Sequence, residues 1–381
     1  MAISGAPKNL PMNPPQPDLR LRVIQADYGD CLILEYGPDG QTRHVLIDGG
    51  PDGVYAKHLK PELETLAQAG SKIDLMVLTH VDEDHVVGLV DLLSDLATAK
   101  GRGTQPFISV ERLWYNTFRQ MLGENGELAG PFTAFAANPV VPASMQHFAF
   151  SITQGEDLWK ASEILEVPRN PGFPGGLVSL EGSPRPVELE GLRLWVLGPS
   201  QPNLQQYEKD WAAWYKKHKD HPFGAGASRE AREIDRSVAN LSSIMFLAEM
   251  PGRRILLTGD GRSEDLVKGL KQAGLMGAGG LHVDVLKVPH HGSSRNNSRE
   301  FFDLVTASQY TISAGKHKND GNPDFDTLKW IVEAAAQRQE QIQILVTNPN
   351  ASTVQLEKLY PPASSGYSIT YLQPGENSIV I

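Results

Sequence analysis

Three apolar runs in this chain stop on residues that can hold a cation, and no other feature constrains its fold as much. Ile73–Leu78 opens into Thr79-His80-Val81-Asp82-Glu83-Asp84-His85. Arg254–Thr258 is followed by Gly259-Asp260, and Val283–Val288 by Pro289-His290-His291-Gly292-Ser293-Ser294. Short, near-continuous apolar runs suit buried strands. The ends of strands in one sheet can lie side by side however far apart they are in sequence. Three such ends meeting at one edge of a layered α/β domain would make one site out of three ordinary loops.

The rest of the chain supplies the layers. Strands are expected at Leu21–Ile24 and Cys31–Tyr36, around the turn Asp27-Tyr28-Gly29-Asp30, and at His44–Ile47, which ends on Asp48-Gly49-Gly50. Helical periodicity covers Tyr55–Ala69, up to Gly70, and Val86–Ala99. Further on, Leu192–Leu197 reads as a strand, and Ser242–Glu249 with Arg254–Thr258 as a hairpin. Ser263–Ala273 reads as a helix, Tyr310–Ser313 as a strand, Asp326–Gln337 as a helix and Ile342–Val346 as a strand. Residues 1–19 read as a flexible leader and 20–381 as one domain. The region at about 100–190, rich in Gly, Pro and aromatics with some helix over Glu156–Leu165, reads as an insertion. Residues 203–233 carry many charges and are expected to form exposed helices.

Charge and cysteine content narrow the function. Over 381 residues, 35 Lys+Arg face 45 Asp+Glu, a formal net charge of −10. That excludes a domain holding nucleic acid mainly through a broad basic surface. Cys31 is the only cysteine, so neither an intrachain disulfide nor a cysteine zinc site can form. No stretch reaches the roughly 18 apolar residues of a membrane span. The leader, with Pro14, Pro15 and Pro17 and no apolar run, is not expected to be a signal peptide. A cytoplasmic protein without a membrane partner is expected.

His80-x-Asp82-x-Asp84-His85 packs four candidate ligands into six residues. Positions 80, 82 and 84 of an extended segment project to one side, and a turn into a helix would gather His85. Imidazole and carboxylate suit zinc, manganese and iron where no thiolate is at hand. Acids alone here would read as a solvated loop; two histidines directly after a buried strand reverse that reading. Gly259-Asp260 alone is a turn, and gains meaning only because it closes a strand as His80 does. Of the adjacent pair His290 and His291, one could bind metal and the other could give a proton to a leaving group. His44, His58, His147, His218, His221, His282 and His317 have no such companions and read as structural or solvated. Trp114, Tyr115, Phe118, Trp211, Trp214 and Tyr215 read as packing residues.

These residues together resemble the metallo-β-lactamase superfamily, and most nearly its ComEC-like metallo-hydrolase domains. The pattern is His80-x-Asp82-x-Asp84-His85-x-x-Gly88, then Asp260, then His290/His291. Leu46–Gly50, Leu194–Pro199, Asn240–Ser243, Leu286–Ser293 and Ile312–Gly315 also fit the subgroup, over about residues 21–331. Three positions depart from the pattern. Asp82 stands where most of the superfamily has His, although the subgroup favours Asp. Asn240 stands about where a third-motif His would be, and Asn322 where the subgroup commonly has His. The resemblance implies an α/β fold, an αβ/βα four-layer sandwich with an insertion in the middle of the chain. It implies a first metal on His80 and Asp82, and a second on Asp84 and His85. Asp260 would bridge them, and His290 or its neighbour His291 would complete the second position. Asp84 and His291 are then the catalytic candidates, and Ser293, Ser294 and Asn322 the substrate-binding ones.

Two divalent ions, Zn2+ or Mn2+, would bring +4 against −3 from Asp82, Asp84 and Asp260. The resulting +1 could hold an anion although the chain totals −10. Such a pair lowers the pKa of a shared water to about 7. Asp at position 82 makes the harder manganese ion plausible beside zinc. The expected function is a metal-dependent hydrolase, foremost a phosphodiesterase or nuclease acting on an anionic small molecule or nucleic acid. Arg262, Lys287, Arg295, Lys316 and Lys318 are scattered, so a small phosphodiester fits better than a long strand. The alternatives are hydrolysis of a lactone, β-lactam or peptide bond on the same metals, or a degenerate metal-binding scaffold. The sequence leaves the oligomeric state open.

Overall fold

The apolar runs become the inner strands of two stacked sheets. The computed structural model describes residues 19–37, 41–116, 118–121, 129–138, 141, 146–218, 227, 229–230, 241–315 and 321–381. In chain order the strands are β1 (Leu19–Ile24), β2 (Leu32–Tyr36), β3 (Arg43–Ile47), β4 (Leu75–Val77), β5 (Leu113–Trp114), β6 (Val187–Leu189) and β7 (Leu192–Gly198). There follow β8 (Met245–Met250), β9 (Arg253–Leu257), β10 (Leu281–Lys287), β11 (Val305–Ile312), β12 (Ile342–Val346), β13 (Tyr367–Tyr371) and β14 (Ser378–Val380). One sheet runs β14-β1-β2-β3-β4-β5, the other β13-β12-β11-β10-β9-β8-β7-β6.

The core lies between the sheets. Leu21, Leu34, Val45, Val77 and Trp114 of the first meet Leu194, Phe246, Ile255, Val285 and Leu345 of the second. Helices cover both outer faces. Helix α1 (Lys60–Gln68) and helix α2 (Glu83–Gly101) bury Leu63, Leu89 and Leu93 against the first sheet. On the second sheet, helices over Ser263–Gln272, Arg299–Leu304, Phe325–Gln337 and Ala351–Leu359 bury Leu266, Phe301, Leu328 and Leu356. This is the expected αβ/βα four-layer sandwich. Because both faces of each sheet are covered, inner strands such as β2, β4 and β8 are buried along nearly their whole length rather than alternating. β2 is buried throughout, and its one charge, Glu35, is held by Arg22 at 2.6 Å.

The parallel pairings place the site. β3, β4 and β5 run parallel in one sheet, and β9 to β13 in the other. Their carboxyl ends therefore reach one edge, where open α/β sheets present their loops to ligands.

The middle of the chain supplies β5, β6 and a helix over Gln146–Leu165, longer than the Glu156–Leu165 expected. Leu158 and Ala161 of that helix join the core of α2. The helix Gln201–His218 exposes its charged face, as expected, and buries a stripe on the other. It buries Leu204, Tyr207, Trp211 and Trp214 in a small separate core, with Phe132 ring centroids 5.6 and 5.8 Å from the two tryptophans. The expected leader falls almost wholly outside the described residues, as do Asn240, His221, His317, Lys316 and Lys318 and the side chains of Phe118 and His147; Leu19 already belongs to β1. Among the described residues, no helix is long and apolar enough to cross a membrane.

Candidate metal centre

The His80–His85 segment leaves β4 extended and turns into α2 with Asp82 as the N-cap residue, at φ −70 and ψ 149. The first helical turn then carries Asp84 and His85, with His85 N–H donating to the Asp82 carbonyl at 3.0 Å. The start of this helix is pressed onto the loop after β3. Gly49 N–H donates to the His85 carbonyl at 2.7 Å, and a Cβ at Gly88 would fall 2.0 Å from the Gly49 carbonyl oxygen. Only glycine permits that approach.

Asp260 sits at the middle of the converging side chains. Its Oδ1 lies 3.4 Å from both His85 Nε2 and His291 Nε2. Its Oδ2 lies 3.5 Å from His290 Nε2 and 3.9 Å from His80 Nε2. Asp82 Oδ2 is 3.6 Å from His80 Nε2. Asp84 Oδ2 is 3.6 Å from His85 Nε2 and 3.4 Å from His291 Nε2. The structure thus brings together all six residues expected to bind metal, His80, Asp82, Asp84, His85, Asp260 and His290, and His291 beside them, as two flanks on either side of one carboxylate.

The chemistry of this donor set fits cations. His80 Nε2, His85 Nε2, Asp260 Oδ1 and His291 Nε2 are buried with no well-formed hydrogen-bond partner. A buried polar atom left so costs about 1–3 kcal/mol. Here the orphaned atoms face one another at distances too long for good hydrogen bonds and suited to an ion between them. One ligand atom each from Asp30, His85, Asp260 and His291, all buried, lie within 4.8 Å of one another.

The groups behind the imidazoles were not legible in the sequence. His80 Nδ1 meets Thr79 Oγ1 at 3.0 Å and Ser243 Oγ at 3.3 Å, and Ser243 Oγ also accepts Asp260 N–H at 3.2 Å. His85 Nδ1 meets Asp48 Oδ2 at 2.8 Å; Asp48 also accepts Thr79 N–H and Oγ1–H, both at 2.7 Å. His291 Nδ1 faces Asp30 Oδ1 at 3.6 Å. Lys287 pairs with Asp30 and donates to the Gly259 carbonyl at 3.1 Å.

The histidine doublet is held in a backbone conformation that L-residues rarely adopt. His290 and His291 have φ of 47 and 52, and Gly292 follows at 84. Each such non-glycine residue costs about 1–3 kcal/mol and persists only where its surroundings over-determine it. His290 N–H donates to the Gly259 carbonyl at 3.1 Å, and Ser293 N–H to the His290 carbonyl at 2.8 Å. Asn322 Nδ2 reaches the same carbonyl at 3.4 Å, while Ser294 gives its N–H and hydroxyl to Asp324 at 2.8 and 2.7 Å. Ser293, Ser294 and Asn322, expected at the substrate, thus all brace this loop.

The charges are strongly coupled. Burial would raise the Asp260 carboxyl, but His290, His291 and His85 hold it well below its ordinary value. Burial opposes protonation of His85, yet Asp260, Asp84 and Asp48 push it well above 6.5. Lys287 is raised likewise by Asp30 and Asp260 against its burial. The expected surplus of +1 changes. Asp30 and Asp48 join the carboxylates, and Lys287, fully buried rather than on the rim, supplies one positive charge. Five carboxylates and one ammonium give −4, which two divalent ions bring to zero.

The two-sheet αβ/βα sandwich is consistent with the metallo-β-lactamase fold, and the cluster at its edge is a potential metal site. Residues 25–167 match the family described as the metallo-beta-lactamase superfamily. The chain also resembles ComE operon protein 3 of Bacillus subtilis (strain 168), at 29% identity over 136 residues, 34% of this chain and 16% of that one. It matches microtubule-associated protein 1A of Rattus norvegicus at 29% identity over 129 residues, 32% of this chain and 4% of that one. The aligned segments are thus a small part of both relatives. Among solved structures, the metallo-beta-lactamase fold protein YhfI from Bacillus subtilis aligns over 96% of this chain and 99% of its own, with 10% identity and a TM-score of 0.40.

Proposed function

We propose that the protein is a metal-dependent hydrolase that cleaves a small phosphodiester, holding two zinc or manganese ions across Asp260. The observation that carries this reading is the convergence of orphaned, buried nitrogen and oxygen atoms from three distant strand ends. His80, Asp82 and Asp260 Oδ2 would hold one ion; Asp84, His85, Asp260 Oδ1 and His291 the other. When bound, such a pair supplies Lewis acidity and brings the pKa of a water to about 7.

The chain's own residues supply the rest. Asp260 keeps the two flanks at a fixed spacing. Asp84, with its side chain 24% exposed, opens the His85 flank toward solvent. The doublet divides its work by burial: the His291 side chain is 5% exposed and faces inward, and that of His290 is 29% exposed. His290 is therefore the group we assign to donate a hydrogen bond or proton to the leaving oxygen. A site that two ions only neutralise, in a chain of −10, supports a compact anion over a long nucleic-acid strand. The single, buried Cys31 suits work in the reducing cytoplasm.

Metal analysis of the purified protein tests the reading, paired with zinc or manganese assays on a generic phosphodiester, a cyclic dinucleotide, single-stranded DNA, a lactone and a β-lactam. Turnover of a small phosphodiester is expected. Preference for the lactone or β-lactam would replace the substrate class, and absence of metal would overturn the whole. Asp84→Ala should abolish turnover with an unchanged circular dichroism spectrum; wild-type turnover by that variant contradicts the assignment.

A further inference from the structure

Beneath Asp260 lies a buried ion pair to which the hydrolytic reading gives no task. Lys287 is the last residue of β10, and its side chain is 1% exposed. Its ammonium meets Asp30, donates to the Gly259 carbonyl at 3.1 Å, and lies 3.8 Å from Asp260 Oδ1. Asp30 is just as buried. Its Oδ1 has no well-formed hydrogen-bond partner and faces His291 Nδ1 at 3.6 Å, while its Oδ2 is 3.9 Å from His85 Nδ1. Burying such a pair is costly, and apolar residues of like volume often serve stability as well or better. Packing alone therefore explains it poorly. A carboxylate behind an imidazole that faces a cation position has a clear use: it fixes the ring and its tautomer.

We propose that Asp30 and Lys287 are positioning residues for the His291 flank. Asp30 turns the His291 ring so that Nε2 faces Asp84 and Asp260. Lys287 holds Asp30 in place. It also offsets one carboxylate, so that the cluster reaches neutrality with two divalent ions. Among the described residues the His80 flank has no counterpart of this pair, being braced by Thr79 and Ser243. Loss of the pair should weaken one cation position and spare the other. This inference rests on the two-ion reading above.

The test is zinc titration of the metal-free protein against a chromophoric chelator, for the wild type, Asp30→Asn and the double variant Asp30→Asn with Lys287→Met. The wild type should show two binding steps. Each variant should keep one step within about threefold and weaken the other about 10–100-fold. The double variant removes both charges at once, so its metal-free melting temperature should stay within a few degrees of wild type. If it fails to fold, Asp30→Asn, which keeps the side-chain shape and an oxygen for Lys287, decides alone. Two unchanged steps overturn this inference and leave the hydrolase reading standing. Equal weakening of both steps also overturns it, as the mark of a general loss of packing. A wild type that takes up no zinc overturns both.

Discussion

The two flanks of the cluster are backed by different chemistry. Behind His80 stand hydroxyls, from Thr79 and Ser243. Behind His85 and His291 stand carboxylates, Asp48 at 2.8 Å and Asp30 at 3.6 Å. A hydroxyl orients an imidazole without adding charge. A carboxylate orients it and also makes the opposite ring nitrogen, Nε2, more basic, which strengthens its hold on a cation. On the two-ion reading proposed above, Asp260 would join two unequal positions, and the His85 flank should bind the tighter ion.

The largest expected effect comes from removing the carboxylate behind His85. Asp48→Asn should weaken binding on that flank about 10–100-fold in a zinc titration. If both steps shift alike, the flanks are not independent. A smaller effect, about tenfold per pH unit for each proton displaced, should come from acidity. The folded His85 value lies well above 6.5, so the imidazolium stabilises the metal-free fold below about 6.5, and that contribution is lost as pH rises through the raised value. A cation must expel this proton. Affinity on the His85 flank should therefore fall as pH drops, with protons released on binding. Calorimetry in buffers of different ionisation enthalpy reads that release, and its absence would break the comparison. The smallest effect is expected at Ser243→Ala. It deletes one hydrogen bond to His80 and one to the Asp260 amide, at about 1 kcal/mol or roughly fivefold on the His80 flank. A loss as large as that of Asp48→Asn would erase the distinction between hydroxyl and carboxylate support.

What the sequence disclosed follows from how local each feature is. His80 to His85 were legible because a strand end and a helix start bring them together within six residues. Asp260 and the doublet were legible only through their places after apolar runs. Asp48 was not, because Asp-Gly-Gly is turn chemistry whether or not an imidazole lies above it. Lys287 was mistaken for a scattered cation, since one charge at the end of an apolar run does not announce its own burial. The inner strands emerged from their runs, and Ile342–Val346 has the bounds expected of it. β5 and β6, with two and three residues, are too short to show a period. In Gln201–His218 the packing role of Trp211 and Trp214 was legible, but among so many charges the Leu204 and Tyr207 that complete their stripe were not.

The pairing of β14 with β1 reaches beyond the site. Arg22 lies opposite Val380, and Leu21 and Ile381 exchange two hydrogen bonds of 2.9 Å. During synthesis, β1 has to wait for residues 378–381 before its outer border is closed. Until then the nascent first sheet carries a bare row of amides and carbonyls, the kind of surface on which neighbouring chains stick. A ribosome-bound intermediate halted before residue 378 should therefore engage chaperones more strongly than one in which residues 378–381 have paired with β1.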